Sequence, residues 1–102
     1  MTEKDERQLD LKIGISYASD LKKAKSILEA LLEQEEKVLK DEERSVFVSE
    51  LADSAVVLGV RAWVKNEEFW TTKWRMLENI KLTFDESGIE IPYPQMSVHM
   101  KN

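Results

Sequence analysis

His99 is the single histidine of the chain and cysteine is absent, so the usual constellations of reactive side chains can hardly be assembled. A Ser-His-Asp relay would have to run through a residue close to the C-terminus, and there is no thiol for nucleophilic attack, disulfide formation or metal binding. Carboxylates are plentiful. Glu33, Glu35 and Glu36 form one cluster and Asp41, Glu42 and Glu43 another; paired carboxylates can do acid–base work. Both clusters sit among lysines, however, and read as solvated faces. Gly14, Gly59 and Gly88 are scattered, so no glycine-rich phosphate loop exists. Trp63, Trp70 and Trp74 could stack nucleobases, although the spacing of the last two is helical and points to a core. No catalytic, cofactor-binding or metal-ligating residue is assigned.

The charge balance narrows the partners. The formal net charge of −5 over 102 residues opposes the counterion release that drives nucleic-acid binding and repels an anionic membrane surface. No apolar run approaches the ~18 residues of a membrane span. The longest, Ala55 to Val60, has the length of a strand. Met1 to Gln8 is charged and lacks the apolar stretch of a signal peptide, which leads to the expectation of a soluble piece with no membrane contact and no small-molecule substrate.

Four kinds of pattern set out the elements. Leu9, Leu11, Ile13, Ile15 and Tyr17 alternate with Asp10, Lys12, Gly14 and Ser16, the period of a half-buried strand. Ser19 and Asp20 offer caps for a helix reaching about Gln34 to Lys37, with Leu21, Ala24, Leu28 and Leu31 as its apolar stripe, widened by Ile27 and Leu32. Two strands then follow at about Ser45 to Leu51 and Ala55 to Val64, joined tightly at Ala52-Asp53-Ser54, so that a hairpin is the simplest pairing. Asn66 is placed to cap a second helix, with Trp70, Trp74, Leu77, Ile80 and Phe84 as its buried stripe and Gly88 at its left-handed end. A last strand begins at Ile89 and is broken by Pro92 and Pro94.

The order β-α-β-β-α-β predicts an α+β, ferredoxin-like sandwich: two helices on one face of a four-stranded antiparallel sheet. Residues 9–95 form this domain, 1–8 remain an unplaced charged segment, and 96–102 form a short C-terminal strand. An RNA-recognition domain shares the order, but Val56-Val57-Leu58-Gly59-Val60-Arg61-Ala62-Trp63 lacks the basic and aromatic signature its third strand requires.

Three segments carry a more specific signal. Gly14-Ile15-Ser16-Tyr17-Ala18-Ser19-Asp20 with its Lys-rich helix, Ser49-Glu50-Leu51-Ala52-Asp53-Ser54-Ala55-Val56 leading to Val60-Arg61-Ala62-Trp63-Val64, and Gly88-Ile89-Glu90-Ile91-Pro92-Tyr93-Pro94-Gln95 after Leu77-Glu78-Asn79-Ile80-Lys81 occur in one order. Together they resemble the cytoplasmic α/β domain of the small-conductance mechanosensitive channel family. The resemblance covers about Leu9 to the end. It implies a non-enzymatic cage module of a homoheptameric channel, on the cytoplasmic side of the cell membrane, that releases ions and small solutes under osmotic stress.

By the same resemblance Asp10 and Glu50 would line the openings of the cage, and Met96, Val98 and Met100 would lie on an oligomer-interface strand closing a small barrel. The family's transmembrane helices and its preceding β-domain have no counterpart in these residues. Two other readings of the same fold are a free-standing module that binds a small ligand or a protein, and an acylphosphatase-type enzyme relying on Arg61.

Overall fold

The computed structural model describes residues 5–92. Strand β1 (Glu6–Ile15) is followed by helix α1 (Leu21–Gln34), the hairpin β2 (Ser45–Leu51) and β3 (Val56–Lys65), a single 3-10 turn (Asn66–Glu68) and helix α2 (Phe69–Ser87). β1 therefore starts at Glu6, three residues ahead of the expected Leu9. The sheet is antiparallel in the order β1-β3-β2, with β1 and β3 in unbroken register from Glu6↔Lys65 to Ile15↔Val56.

Period-two patterning sets which face is covered. Leu9, Leu11, Ile13 and Ile15 of β1 are buried, as are Val56, Leu58, Val60, Ala62 and Val64 of β3. Both helices lie over that face, α1 against β2 and β3 and α2 against β1 and β3. Burying these branched side chains is the main driving force for the fold, roughly 1.5–3 kcal/mol for each one fully withdrawn from water. Tyr17 leaves the alternation. Its ring is exposed and its hydroxyl donates to the Ala52 carbonyl at 2.5 Å, tying the β1–α1 loop to the hairpin turn.

Helix α1 is capped by Asp20, whose Oδ1 accepts from the Lys23 N–H at 3.2 Å. Ser19, the other expected cap, accepts instead from the Glu90 N–H. Ala24, Leu28 and Leu32 are the buried stripe of α1, with Ile27 and Leu31 packed beside them and Leu21 exposed. Asn66 does not cap α2, because the 3-10 turn intervenes and Glu68 takes the N-cap position. Gly88 ends α2 at φ 79°, where a Cβ would be strained, and the Ile89 N–H reaches back to the Phe84 carbonyl.

The buried stripe of α2 corrects the expected one. Phe69, Thr72, Met76, Ile80 and Phe84 face inward, while Trp70 and Trp74 are 50% and 62% exposed. The two stripes differ by one step around the helix. Ile80 and Phe84 belong to both; the tryptophans do not.

Three strands form among the described residues, not the four expected. Ile89 to Pro92 belongs to no helix or strand and is joined to β1 by one backbone bond from the Ser16 N–H to the Glu90 carbonyl. Residues facing a neighbouring strand recur every second position, so the donors that would continue this pairing belong to positions 92 and 94. Both are proline and have no N–H. Among the described residues this pairing has a single rung. Met96 to Met100, the expected terminal strand, lies outside the described residues.

One irregularity interrupts the hairpin. Val48 pairs with Leu58 and Glu50 with Val57, leaving Ser49 as an extra residue, the arrangement of a β-bulge.

Candidate functional site

The helix-free face of the sheet gathers the polar strand positions and Asp10, Lys12, Phe47, Glu50, Arg61 and Trp63. Its order follows from the register: Asp10 opposes Arg61, Lys12 opposes Gly59, and Glu50 opposes Val57. Phe47 lies across Gly59, where an added Cβ would sit 2.5 Å from the ring. The absent side chain is what lets the aromatic ring lie flat on the strand. Arg61 stands 5.3 Å from that ring and 3.5 Å from the Asp10 carboxylate.

Asp10 and Glu50 both reach solvent on this face, but the structure does not bring them together. They sit on opposite sides of β3 and four register positions apart, roughly 13 Å along the strands and 10 Å across them. Asp10 is offset by Arg61. Glu50 has no ion pair among the described residues, so its field reaches solvent uncompensated. Met96, Val98, Met100 and the single histidine, His99, lie outside the described residues. No group of three or more acidic or histidine side chains among the described residues is placed to hold a metal ion.

This geometry is a charged sheet face with one carboxylate offset by Arg61 and one, Glu50, without an ion pair among the described residues. The residues 9–91 match the family described as "Mechanosensitive ion channel MscS, C-terminal". The chain belongs to the MscS family. An uncharacterized MscS family protein of Synechocystis is 38% identical over 95% of this chain and 33% of its own length. The small-conductance mechanosensitive channel of Edwardsiella ictaluri is 31% identical over 92% of this chain and 33% of its own. The chain thus spans about a third of the curated relatives it matches. The closed-state crystal structure of Helicobacter pylori MscS matches with a TM-score of 0.82 at 23% identity, over 96% of this chain and 39% of that one; it shows the shared fold.

The MscS family is one of ion channels. The family description places residues 9–91 in the C-terminal part of such channels, and no helix among the described residues is long and apolar enough to cross a membrane. Arg61, the residue an acylphosphatase-type reading would need, is engaged by Asp10 and Phe47.

A second polar cluster in this MscS domain was not legible as one. Glu35, at the C-terminal end of α1, is only 5% exposed and takes a two-pronged bond from Arg75 of α2: Nε to Oε1 at 3.0 Å and Nη2 to Oε2 at 2.6 Å. The guanidinium holds the Glu35 carboxyl below the usual carboxylate range. Burial works against this, and the Lys37 N–H, bonded to Oε2, assists it. Lys40 Nζ meanwhile donates to the Glu35 carbonyl. The pair borders an open cleft of about 340 Å³ lined also by Leu31, Gln34, Glu36 and Asn79. Its role is to lock α1 to α2.

Proposed function

We propose that this domain is the cage and assembly module of a mechanosensitive channel, set on the cytoplasmic side of the cell membrane. Seven copies surround a vestibule through which ions and small solutes leave the cell under osmotic stress. The observation that carries this reading is the family match over 9–91, supported by the relatives named small-conductance mechanosensitive channels, of which this chain covers the equivalent of a third. The membrane-spanning part and tension sensing belong to the rest of such a channel.

Within the cage, Asp10 and Glu50 line the openings between neighbouring domains. Both are exposed on the helix-free face, where fixed carboxylates raise the local cation concentration and lower that of anions. Glu50 carries more weight than Asp10, whose charge Arg61 offsets. Met96, Val98 and Met100 supply one strand per subunit to the ring closure, the period of two placing all three on one side.

The test is a chimaera in which this chain replaces the C-terminal third of the Edwardsiella channel. A working channel with the ordinary response to pressure is expected, and closed or unassembled protein would oppose the reading. Glu50→Lys in that chimaera should move the reversal potential toward anion preference, whereas Asp10→Asn should move it less. An unchanged reversal potential removes Glu50 from the openings. Deleting residues 96–102 should weaken the ring in native mass spectrometry while far-UV circular dichroism stays the same.

A further inference from the structure

We propose that Arg61 sets the charge preference of the openings: its guanidinium, carried on the ring of Phe47, is held over Asp10 and cancels the pull of that carboxylate on passing cations. This rests on the reading of Asp10 and Glu50 as residues of those openings. It adds the residue that decides how much of their charge an ion meets.

The device is built from four residues on the helix-free face. Antiparallel register sets Asp10 of β1 directly across from Arg61 of β3, and Phe47 of β2 directly across from Gly59. Phe47 is therefore the diagonal neighbour of Arg61, a separation that aromatic and long side chains span. Its ring can lie over the middle strand because position 59 has no side chain; a Cβ there would stand 2.5 Å from two ring carbons. The face of such a ring attracts cations, and the Arg61 guanidinium lies 5.3 Å from its centre. On the other side Nη2 meets the Asp10 carboxylate at 3.5 Å. Held from two sides, the arginine is a fixed charge. Lys12, two positions along from Asp10, is exposed and makes no ion pair among the described residues.

The arrangement contributes more to the field above the sheet than to stability. The side chains of Arg61 and Asp10 are 44% and 37% exposed, and ion pairs this wet stabilise a fold little. An ion passing at about 8 Å, one Debye length at physiological salt, responds to the sum of the two charges. A cation and an anion 3.5 Å apart largely cancel at that distance. Glu50, on the other side of β3, has no ion pair among the described residues. One carboxylate is thus masked and the other open, and Arg61 makes the difference. Removing it uncovers a second negative charge in every subunit.

Two measurements test this. On the chain itself, NMR relaxation of backbone amides by cationic and anionic nitroxides reads the local potential, with no channel required. The potential should be less negative near Asp10 than near Glu50. Arg61→Gln should lower it near Asp10 toward the Glu50 value, and Arg61→Lys should keep most of the wild-type potential. Phe47→Leu should fall between, because the arginine loses its platform. An unchanged potential in Arg61→Gln overturns the proposal. In the chimaera, Arg61→Gln should shift the reversal potential toward cation preference. That shift is opposite in sign to the one from Glu50→Lys and about half as large, since one unit of charge per subunit changes rather than two. Adding Asp10→Asn to Arg61→Gln should return the reversal potential close to the wild-type value. If Glu50→Lys shifts it and Arg61→Gln does not, this proposal fails and the placement of Glu50 in the openings stands. If neither shifts it while the NMR potentials respond as stated, the placement of this face in the openings fails, and the proposal with it.

Discussion

Replacing Phe84 with Ala is expected to lower the unfolding free energy by about 3–5 kcal/mol, while Trp74→Ala, the larger deletion by volume, lowers the stability of the monomer by less than about 1 kcal/mol. The contrast follows from the rotational setting of α2. Phe84 has no exposed surface and is the largest fully buried side chain among the described residues; truncation leaves a hole that the packed core around it cannot fill without shifting. Trp74 is 62% exposed and stacks at a tilt on Trp70 across one turn. Urea denaturation followed by far-UV circular dichroism, at protein concentrations low enough to keep the chain monomeric, measures both. Equal losses would mean that α2 is turned by a third of a revolution from the orientation described.

Arg75→Ala should destabilise the domain by about 2–3 kcal/mol near neutral pH, the range for a charged group deprived of its hydrogen bonds. The loss comes less from the exposed guanidinium than from the Glu35 carboxylate, left at 5% exposure with only the Lys37 N–H in support. The effect carries a pH signature. The folded-state pKa of Glu35 is depressed below its ordinary 4.5, so the pair contributes in full above that pH and its contribution is lost as pH falls toward the lower folded value. The gap between wild type and Arg75→Ala should therefore be widest at pH 6–7 and narrow below about pH 4. A gap constant from pH 7 to pH 3 would show that the arginine acts by packing alone.

The strands were readable because nothing competes with a period of two in Leu9-Asp10-Leu11-Lys12-Ile13 or in Val56 to Val64. Both faces of the covered sheet side, the hairpin and the Asp20 and Gly88 helix ends could be inferred from local chemistry. α2 misled for a physical reason. Its true stripe contains Thr72, a polar residue, whereas the tryptophans beside it offer more apolar area at equally good helical spacing. Glu35 was hidden in a run of acids, yet its position held the clue. It lies seven residues after Leu28 and three after Leu32, in phase with the buried face of α1, and an acid there requires a cation from the neighbouring helix. That no fourth strand forms among the described residues also has a reason in the covalent structure: positions 92 and 94, two apart, are both proline and carry no N–H to donate.

The extra residue in β2 bears on the sign of the field above the sheet. Were Ser49 paired with Val57 as in a regular ladder, Glu50 would oppose Val56 and turn to the helix-covered side; the bulge absorbs Ser49 and keeps Glu50 opposite Val57 on the helix-free side. The bulge thus decides where this negative charge is displayed.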